Sequence, residues 1–139
     1  MTHASKRQSN GGSPLRVLVT ARDAGAAYQN RAFVEDCLAN SRRFEFELFL
    51  QQPATGIFRG CNVPNTEVDL GPDTSLVDSV FERLQPDFVL VGLSGFDTGV
   101  DEAILAYAKQ HGVPSGAIQD YWGYVGGHGA HECPDVFFV

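Results

Sequence analysis

The chain has 139 residues, which is enough for one domain with a single hydrophobic core. Its 10 basic and 17 acidic residues give a formal net charge of −7, which disfavours nucleic acid or an anionic membrane surface as the main partner. Three cysteines without a CxxC spacing argue against a disulfide framework, and no apolar run is long enough to span a membrane. We therefore expect a cytoplasmic protein in a reducing compartment.

The first half of the chain alternates strand and helix patterns. Residues 1–14 are polar and predict a disordered tail ahead of one domain, residues 15–139. An apolar run over 15–20 predicts a strand, and apolar positions at helical spacing predict a helix over 26–40. The alternation in FEFELFL predicts a second strand over 44–50. A turn-rich connection follows, and TEVDL predicts a third strand. The helix's apolar positions are Ala27, Phe33, Val34, Cys37 and Leu38.

The second half continues the same alternation. DTSLVDSVFERLQ predicts an amphipathic helix, in which Ser75 with Asp78 resembles a capping box. DFVLVGL predicts a strand buried on both faces, and a helix follows with acidic residues in its first turn and Gly112 just past its end. VPSGAIQ and DVFFV predict two further strands. The core face of the amphipathic helix comprises Leu76, Val77, Val80, Phe81 and Leu84.

Strands that alternate with helices predict a parallel sheet. We therefore predict an α/β fold with a doubly wound, mainly parallel, Rossmann-like sheet in a single three-layer domain. The expected strand order is 3-2-1-4-5, with a possible sixth strand.

Ligands of such sheets bind beyond the carboxyl ends of the strands, near the point where the strand order reverses. Three loops lie there: residues 20–27, 92–99 and 119–129. A helix begins after each of the first two loops, and a helix N-terminus favours phosphate or carboxylate. In the third loop, aromatic side chains suit a flat or sugar-like ligand. The predicted ligand-binding residues are Thr20, Gly25, Ala26, Ser94, Gly95, Asp97, Tyr121, Trp122, Tyr124 and His128.

Each of these signals has a purely structural alternative. One alternative is that the glycines serve tight turns. Another is that Tyr121 and Trp122 cap the core while Asp120 bonds to local backbone. We keep both interpretations open at this point.

Three other kinds of site are disfavoured. ARDAGAA has one glycine where the dinucleotide fingerprint has three, and the second strand is followed by Gln51 and Gln52 instead of an acidic residue. His128, His131 and Cys133 could ligate zinc, but H-x-x-H-x-C matches no common zinc motif. GLSGF departs from the G-x-S-x-G nucleophile elbow at its fifth position. We therefore predict no metal site and no cofactor.

The motifs resemble one group of enzymes. RVLVTARDAGAA, LQPDFVLVGLSGFDTGVDEAILAYAKQHGVPSGAIQDYW and PDVFFV are similar to the N-terminal Rossmann-like half of GT-B glycosyltransferases and UDP-GlcNAc 2-epimerases. The shared features are a D-x-G-x-A loop after strand one, a PD-x-apolar strand before a helix, and a G-V-P strand that ends in an acidic or aromatic loop.

This resemblance implies a domain that binds a small molecule or nucleotide sugar on the acceptor side. The matching positions are Asp23, Gly25, Ala26, Ser94, Asp97 and Asp120. Asp23 and Asp120 are the candidate catalytic bases. Because the donor in such enzymes is held mainly by a C-terminal half, we expect this chain to need a second polypeptide or self-association.

Two alternatives remain open from the sequence. The chain could be a stand-alone enzyme that uses Asp23, Asp97, Asp120, Tyr121 and His128 as acid–base groups. It could also be a non-catalytic scaffold that engages another protein through its acidic surface and last strand.

Overall fold

The computed structural model describes residues 12–40, 43–69, 75–93, 99–118 and 134–138. Six parallel strands form one sheet in the order β3-β2-β1-β4-β5-β6, which confirms the predicted doubly wound topology. The strands are β1 (Leu15–Ala21), β2 (Phe44–Leu50), β3 (Asn65–Glu67), β4 (Phe88–Val91), β5 (Ser115–Ile118) and β6 (Val136–Phe138). The helices are α1 (Ala24–Asn40), α2 (Ala54–Ile57), α3 (Ser75–Leu84) and α4 (Val100–Gln110).

Helices cover both faces of the sheet. Alternate residues of β1, such as Leu18 and Val19, point to opposite faces and belong to different core clusters. One cluster packs β-strand residues against α3 and α4, and the other packs them against α1 and α2. Because the central strands are buried on both sides, β4 and most of β1 are apolar, whereas β2 carries two glutamates among its apolar residues.

The helix faces differ from the sequence prediction at several positions. Phe33, Leu38 and Leu76 were expected in the core, but all three are exposed. In α1 the sheet is contacted instead by small residues and by Asn30, whose Nδ2 donates to the Thr20 carbonyl at 2.8 Å. The close approach of α1 to the sheet therefore depends on short side chains, and it leaves the large ones outside.

Two local predictions are also corrected. The connection after β2 was predicted to be rich in turns, and it also includes the short helix α2, which was not predicted. Ser75 was expected at the capping position, but it is the first helical residue of α3. By contrast, Gly112 follows α4 as expected, with a left-handed φ of 68° that ends the helix.

β6 forms one edge of the sheet and carries three exposed apolar side chains. Its start is held by Asp135, which accepts hydrogen bonds from the Ser115 backbone N–H at 2.9 Å and from Lys109. Gly116 lies beneath Phe88 and Phe138, where a Cβ would fall 2.8 and 3.0 Å from the two rings. The strand is therefore held by its pairing with β5, by the residue just before it and by the contact of Phe138 with Gly116.

No helix among the described residues is long and apolar enough to cross a membrane. Of the predicted tail, residues 12–14 are exposed and form no strand or helix, and residues 1–11 lie outside the described part of the chain.

Candidate ligand site at the carboxyl edge of the sheet

The topology concentrates the loops at one edge. β1 and β4 are neighbours, and the chain leaves β1 towards β2 and leaves β4 towards β5, in opposite directions. α1 and α4 both begin at this edge, on opposite faces of the sheet. Such a reversal of strand order opens the crevice in which doubly wound proteins bind ligands.

The first loop divides into a buried part and an exposed part. Thr20 is completely buried and Ala26 is 2% exposed, so both side chains are packed inside the domain. Asp23 is half-buried and Gly25 is exposed. The Asp23 carbonyl accepts the Ala27 N–H at 3.0 Å, which is the first intrahelical hydrogen bond of α1 and places Asp23 at its N-cap position. Asp23 and Gly25 are therefore the predicted residues of this loop that lie at the surface.

A buried carboxylate ties the two sides of the crevice together. Asp101, in the first turn of α4, is 2% exposed. Its Oδ1 accepts the Thr20 hydroxyl at 2.5 Å and the Gly92 N–H at 3.0 Å. Charge-assisted hydrogen bonds of this kind are short and strong. Thr20 thus serves the framework of the site through Asp101, and Asp101 links β1, the end of β4 and α4.

Gly92 is required where β4 ends because the surrounding groups approach very closely. A Cβ at this position would lie 2.9 Å from Cβ of Ala26 and 3.0 Å from Oδ1 of Asp101. The start of the second predicted loop is therefore clamped between α1 and α4.

The N-terminus of α4 is occupied by side chains of the chain itself. Gln51, just beyond β2, accepts the Val100 N–H on its Oε1 at 3.0 Å. Glu102 accepts the Gly99 N–H on its Oε2 at 2.8 Å, which is one half of a capping box. Burial raises the pKa of the Glu102 carboxyl, although the backbone hydrogen bonds that it accepts oppose this change. The N–H groups of Gly99 and Val100 at the positive end of this helix are therefore bonded to side chains of the chain itself.

A guanidinium also lies at this edge. The Arg22 side chain is only 12% exposed, and its Nε lies 3.9 Å from Oδ1 of Asp23. A Cβ on Gly99 would lie 2.8 Å from Cδ of Arg22, so the side chain packs between the first loop and the start of α4. Arg22 therefore brings positive charge to the crevice of an acidic protein.

Beyond β2 and β3 the edge opens into a polar cleft of about 590 Å3. Its described lining comprises Gln51, Gln52, Glu67, Val68 and Asp69. Gln52 donates from Nε2 to Oε1 of Glu67 at 3.0 Å. This cleft was not expected, because the sequence shows only that β2 lacks a following acidic residue.

Most of the other predicted site residues fall outside the described residues. In the second loop these are Ser94, Gly95 and Asp97, and in the third they are Asp120, Tyr121, Trp122, Tyr124 and His128. His131 and Cys133 fall in the same undescribed stretch. Among the residues that the structure describes, no group of three or more histidine, cysteine or acidic side chains is placed to hold a metal ion.

Sequence reasoning missed three groups that build this edge: Asp101, Gln51 and Glu67. In the sequence, Asp101 is one of the acidic residues in the first turn of a predicted helix, which is usually a solvated position. The sequence does carry a weak signal for this pair. Thr20 is a polar residue at the end of a buried strand, and Asp101 is a polar residue two positions after a glycine-rich loop.

Comparison with known proteins supports the fold. No protein-family model matches the sequence, and no curated protein matches it significantly. Solved structures do match in three dimensions. The UDP-GlcNAc 2-epimerase of Neisseria meningitidis, solved bound to UDP-GlcNAc, aligns with a TM-score of 0.56 over 75% of this chain at 17% identity. MurG of Acinetobacter baumannii aligns with a TM-score of 0.59 over 81% of this chain at 13% identity.

A third similar structure is the Bordetella bronchiseptica enzyme WbmG in complex with NAD and UDP, with a TM-score of 0.52 over 80% of this chain at 17% identity. The aligned region makes up 32%, 38% and 39% of these three proteins respectively, so this chain spans less than two fifths of each. The chain therefore has the Rossmann-like fold that forms part of these three proteins, as the sequence resemblance predicted.

Proposed function

We propose that this chain is a nucleotide-sugar-binding domain whose ligand occupies the carboxyl edge of the sheet with its phosphates at the N-terminus of α1. The observation that carries the proposal is the exposed start of α1 at the reversal of strand order, where Asp23 is half-buried and Gly25 is exposed. A 17-residue helix has a positive N-terminal end, and its first N–H groups have no intrahelical acceptors.

Two further observations support an anionic ligand here. Arg22 brings a guanidinium to the same edge, which offsets locally the net charge of −7. The fold is similar to that of proteins solved with UDP-GlcNAc or with NAD and UDP. All of these ligands carry phosphate groups next to sugar hydroxyls.

Within this proposal, Asp23 and Asp120 are the acid–base candidates. Asp23 lies at the N-cap of α1, beside the proposed phosphate position, and Asp120 follows β5 by two residues in the sequence. The predicted contacts of Ser94, Gly95, Asp97, Tyr121, Trp122, Tyr124 and His128 complete the pocket wall in this proposal. Turnover that is lost on Asp23→Asn or Asp120→Asn, with ligand affinity retained, is the expected result.

We also propose that a second folded unit completes the site, supplied by a second copy or by another polypeptide. The exposed side chains of Val136, Phe137 and Phe138 on an edge strand support this, because natural proteins usually shield or charge such edges. Self-association should appear in sedimentation as a concentration-dependent mass that Val136→Lys abolishes. Full turnover by the isolated monomer would contradict the need for a second unit.

Isothermal calorimetry on a matched pair of variants tests the phosphate position. Gly25→Asp adds a negative charge to the first turn of α1, which stabilises the helix by about 0.3–1 kcal/mol but repels an anion. Gly25→Ala adds only a methyl group and should also stabilise, by up to about 1 kcal/mol.

We expect UDP and UDP-GlcNAc to bind the wild type and Gly25→Ala alike, and to bind Gly25→Asp at least about tenfold more weakly, a change of about 1.4 kcal/mol. Because Gly25→Asp should raise the melting temperature, a loss of binding cannot be ascribed to unfolding. Equal affinity of all three proteins for UDP would place the phosphates elsewhere.

A further inference from the structure

We propose that the polar cleft beyond β2 and β3 is a subsite for a vicinal diol, supplied by the ribose or by the hexose of the ligand. This inference rests on the proposed function and names a second contact region of the same site. It depends on the hydrogen-bonding inventory of Gln51, Gln52, Glu67 and Asp69.

The orientation of both amides is fixed by their partners. Gln51 accepts the Val100 N–H, so its oxygen faces the helix and its NH2 group is the donor left for the cleft. Gln52 donates its NH2 group to the Glu67 carboxylate, so its own oxygen is left as an acceptor. An amide turned the other way would face N–H to N–H at Val100 and oxygen to oxygen at Glu67.

The cleft therefore offers one kind of donor and several acceptors. The acceptors are the Gln52 oxygen, Oε2 of Glu67 and the carboxylate of Asp69. A phosphate only accepts hydrogen bonds, so it could pair with the Gln51 NH2 group alone and would be repelled by the two carboxylates. An ammonium group donates but cannot accept from Gln51. A hydroxyl does both, and two adjacent hydroxyls match a carboxylate oxygen and the neighbouring amides.

The position of the cleft agrees with this assignment. Gln51 joins the cleft to the start of α4, and the Gln51 N–H is bonded to the Ala21 carbonyl at 3.1 Å, immediately before Arg22. The first loop and the cleft are thus adjacent parts of one edge. A ligand with its phosphates at α1 can place a neighbouring sugar in the cleft, where Glu67 supplies the carboxylate that the end of β2 lacks.

The test uses NMR of the full chain, read at the side-chain amide signals of Gln51 and Gln52. The probes are methyl β-D-ribofuranoside, the methyl glycoside of N-acetylglucosamine, the 2-deoxy analogue of the riboside, and inorganic phosphate. We expect one glycoside to shift both amide signals, whereas the 2-deoxy riboside and phosphate do not. A response to the riboside assigns the cleft to ribose, and a response to the hexoside alone assigns it to the hexose of the ligand.

Glu67→Gln should weaken the glycoside response about tenfold, because a charged acceptor is lost. Glu82→Gln is the matched control, since Glu82 is exposed on α3 and does not line the cleft. The inference is overturned if no glycoside shifts the two amide signals, or if the response is the same in Glu67→Gln.

These outcomes are separable from failure of the proposed function, because the glycosides carry no phosphate and should still shift the amides in Gly25→Asp. UDP binding without a glycoside response would support the phosphate site and contradict the diol subsite. A chain that responds to a glycoside but does not bind UDP keeps the subsite and loses the proposed function.

Discussion

Two helices begin at the same edge of this sheet, and the chain treats their N-termini differently. At α4 the first N–H groups are taken by Gln51 and Glu102, and a buried Asp101 stands in the first turn. At α1 the first turn begins with two exposed small residues, Ala24 and Gly25. One positive helix end thus stabilises the fold, whereas the other is presented at the surface.

Under the proposed function, the exposed start of α1 is the anion site of a chain that lacks a glycine-rich fingerprint. An exposed helix start suits a ligand only where no side chain of the protein already occupies it. At the start of α4, hydrogen bonds connect the first helical turn to the ends of β1, β2 and β4. Substitutions at the start of α4 should have the largest effects on stability.

The largest expected effect is that of Asp101→Ala. The substitution leaves the Thr20 hydroxyl and the Gly92 N–H without this acceptor inside the core, so the free energy of unfolding should fall by about 3 kcal/mol. Urea unfolding measures this loss. Thr20→Val removes one of the two hydrogen bonds and should cost about half as much. A loss below about 0.5 kcal/mol for Asp101→Ala would show that the hydrogen bonds of Asp101 contribute little to stability.

Gly92→Ala should be the next most damaging change. Its new methyl group would press on Ala26 and Asp101, and overpacking of this kind costs about 1–3 kcal/mol. Gly56→Ala is the control, because a Cβ there meets nothing within 4 Å and alanine favours the helix. The melting temperature should therefore fall for Gly92→Ala and rise for Gly56→Ala. A neutral Gly92→Ala would mean that α1 and α4 can separate at no cost.

Gln51→Ala removes the acceptor of the Val100 N–H, and we expect it to cost about 1 kcal/mol of unfolding free energy. Gln52→Ala is its neighbour in sequence but is exposed, and it should stay within about 0.5 kcal/mol of the wild type. Denaturant titration of both proteins distinguishes them. If both variants unfold alike, Gln51 does not cap α4.

The smallest effect concerns pH. Because burial raises the pKa of Glu102 in the folded protein, the folded state binds this proton more tightly than the unfolded state. The contribution of Glu102 to stability is therefore complete below its unfolded pKa, near 4.5, and is lost as the pH rises through the raised value.

Glu102→Gln keeps an oxygen for the Gly99 N–H but does not titrate. Unfolding of the wild type and this variant from about pH 4 to about pH 7 should show the variant gaining relative stability at the higher pH. A difference that is constant with pH, or one that runs the other way, would contradict the raised pKa.

The fold followed from local patterns. Strand runs of 15–20 and 44–50 and the amphipathic period of α3 are set by neighbouring residues. Right-handed crossovers then reduce the possible strand orders to a few, which include the one observed. The exposed Phe33, Leu38 and Leu76 were not predictable, because helical spacing alone does not state which face approaches the sheet. In α1 that contact is made by Ala26, Ala27, Asn30 and Val34.

The candidate site could be predicted from the sequence only in part, because its hydrogen bonds join residues that are distant in the sequence. Thr20 and Asp101 are 81 positions apart, and Gln51 and Val100 are 49 apart. The loops were found from the rule that ligands bind at strand carboxyl ends. Which side chains would be internal and which would face a ligand depended on packing that no local pattern records.

The central claim is that the phosphates bind at α1 and not at α4. The most direct test is a UDP titration followed by the backbone amide signals of Gly25 and Val100. The account predicts a saturable shift of the Gly25 signal, with the Val100 signal unchanged because Gln51 already holds that N–H. A shift at Val100 without one at Gly25 would contradict it and transfer the anion site to the other helix.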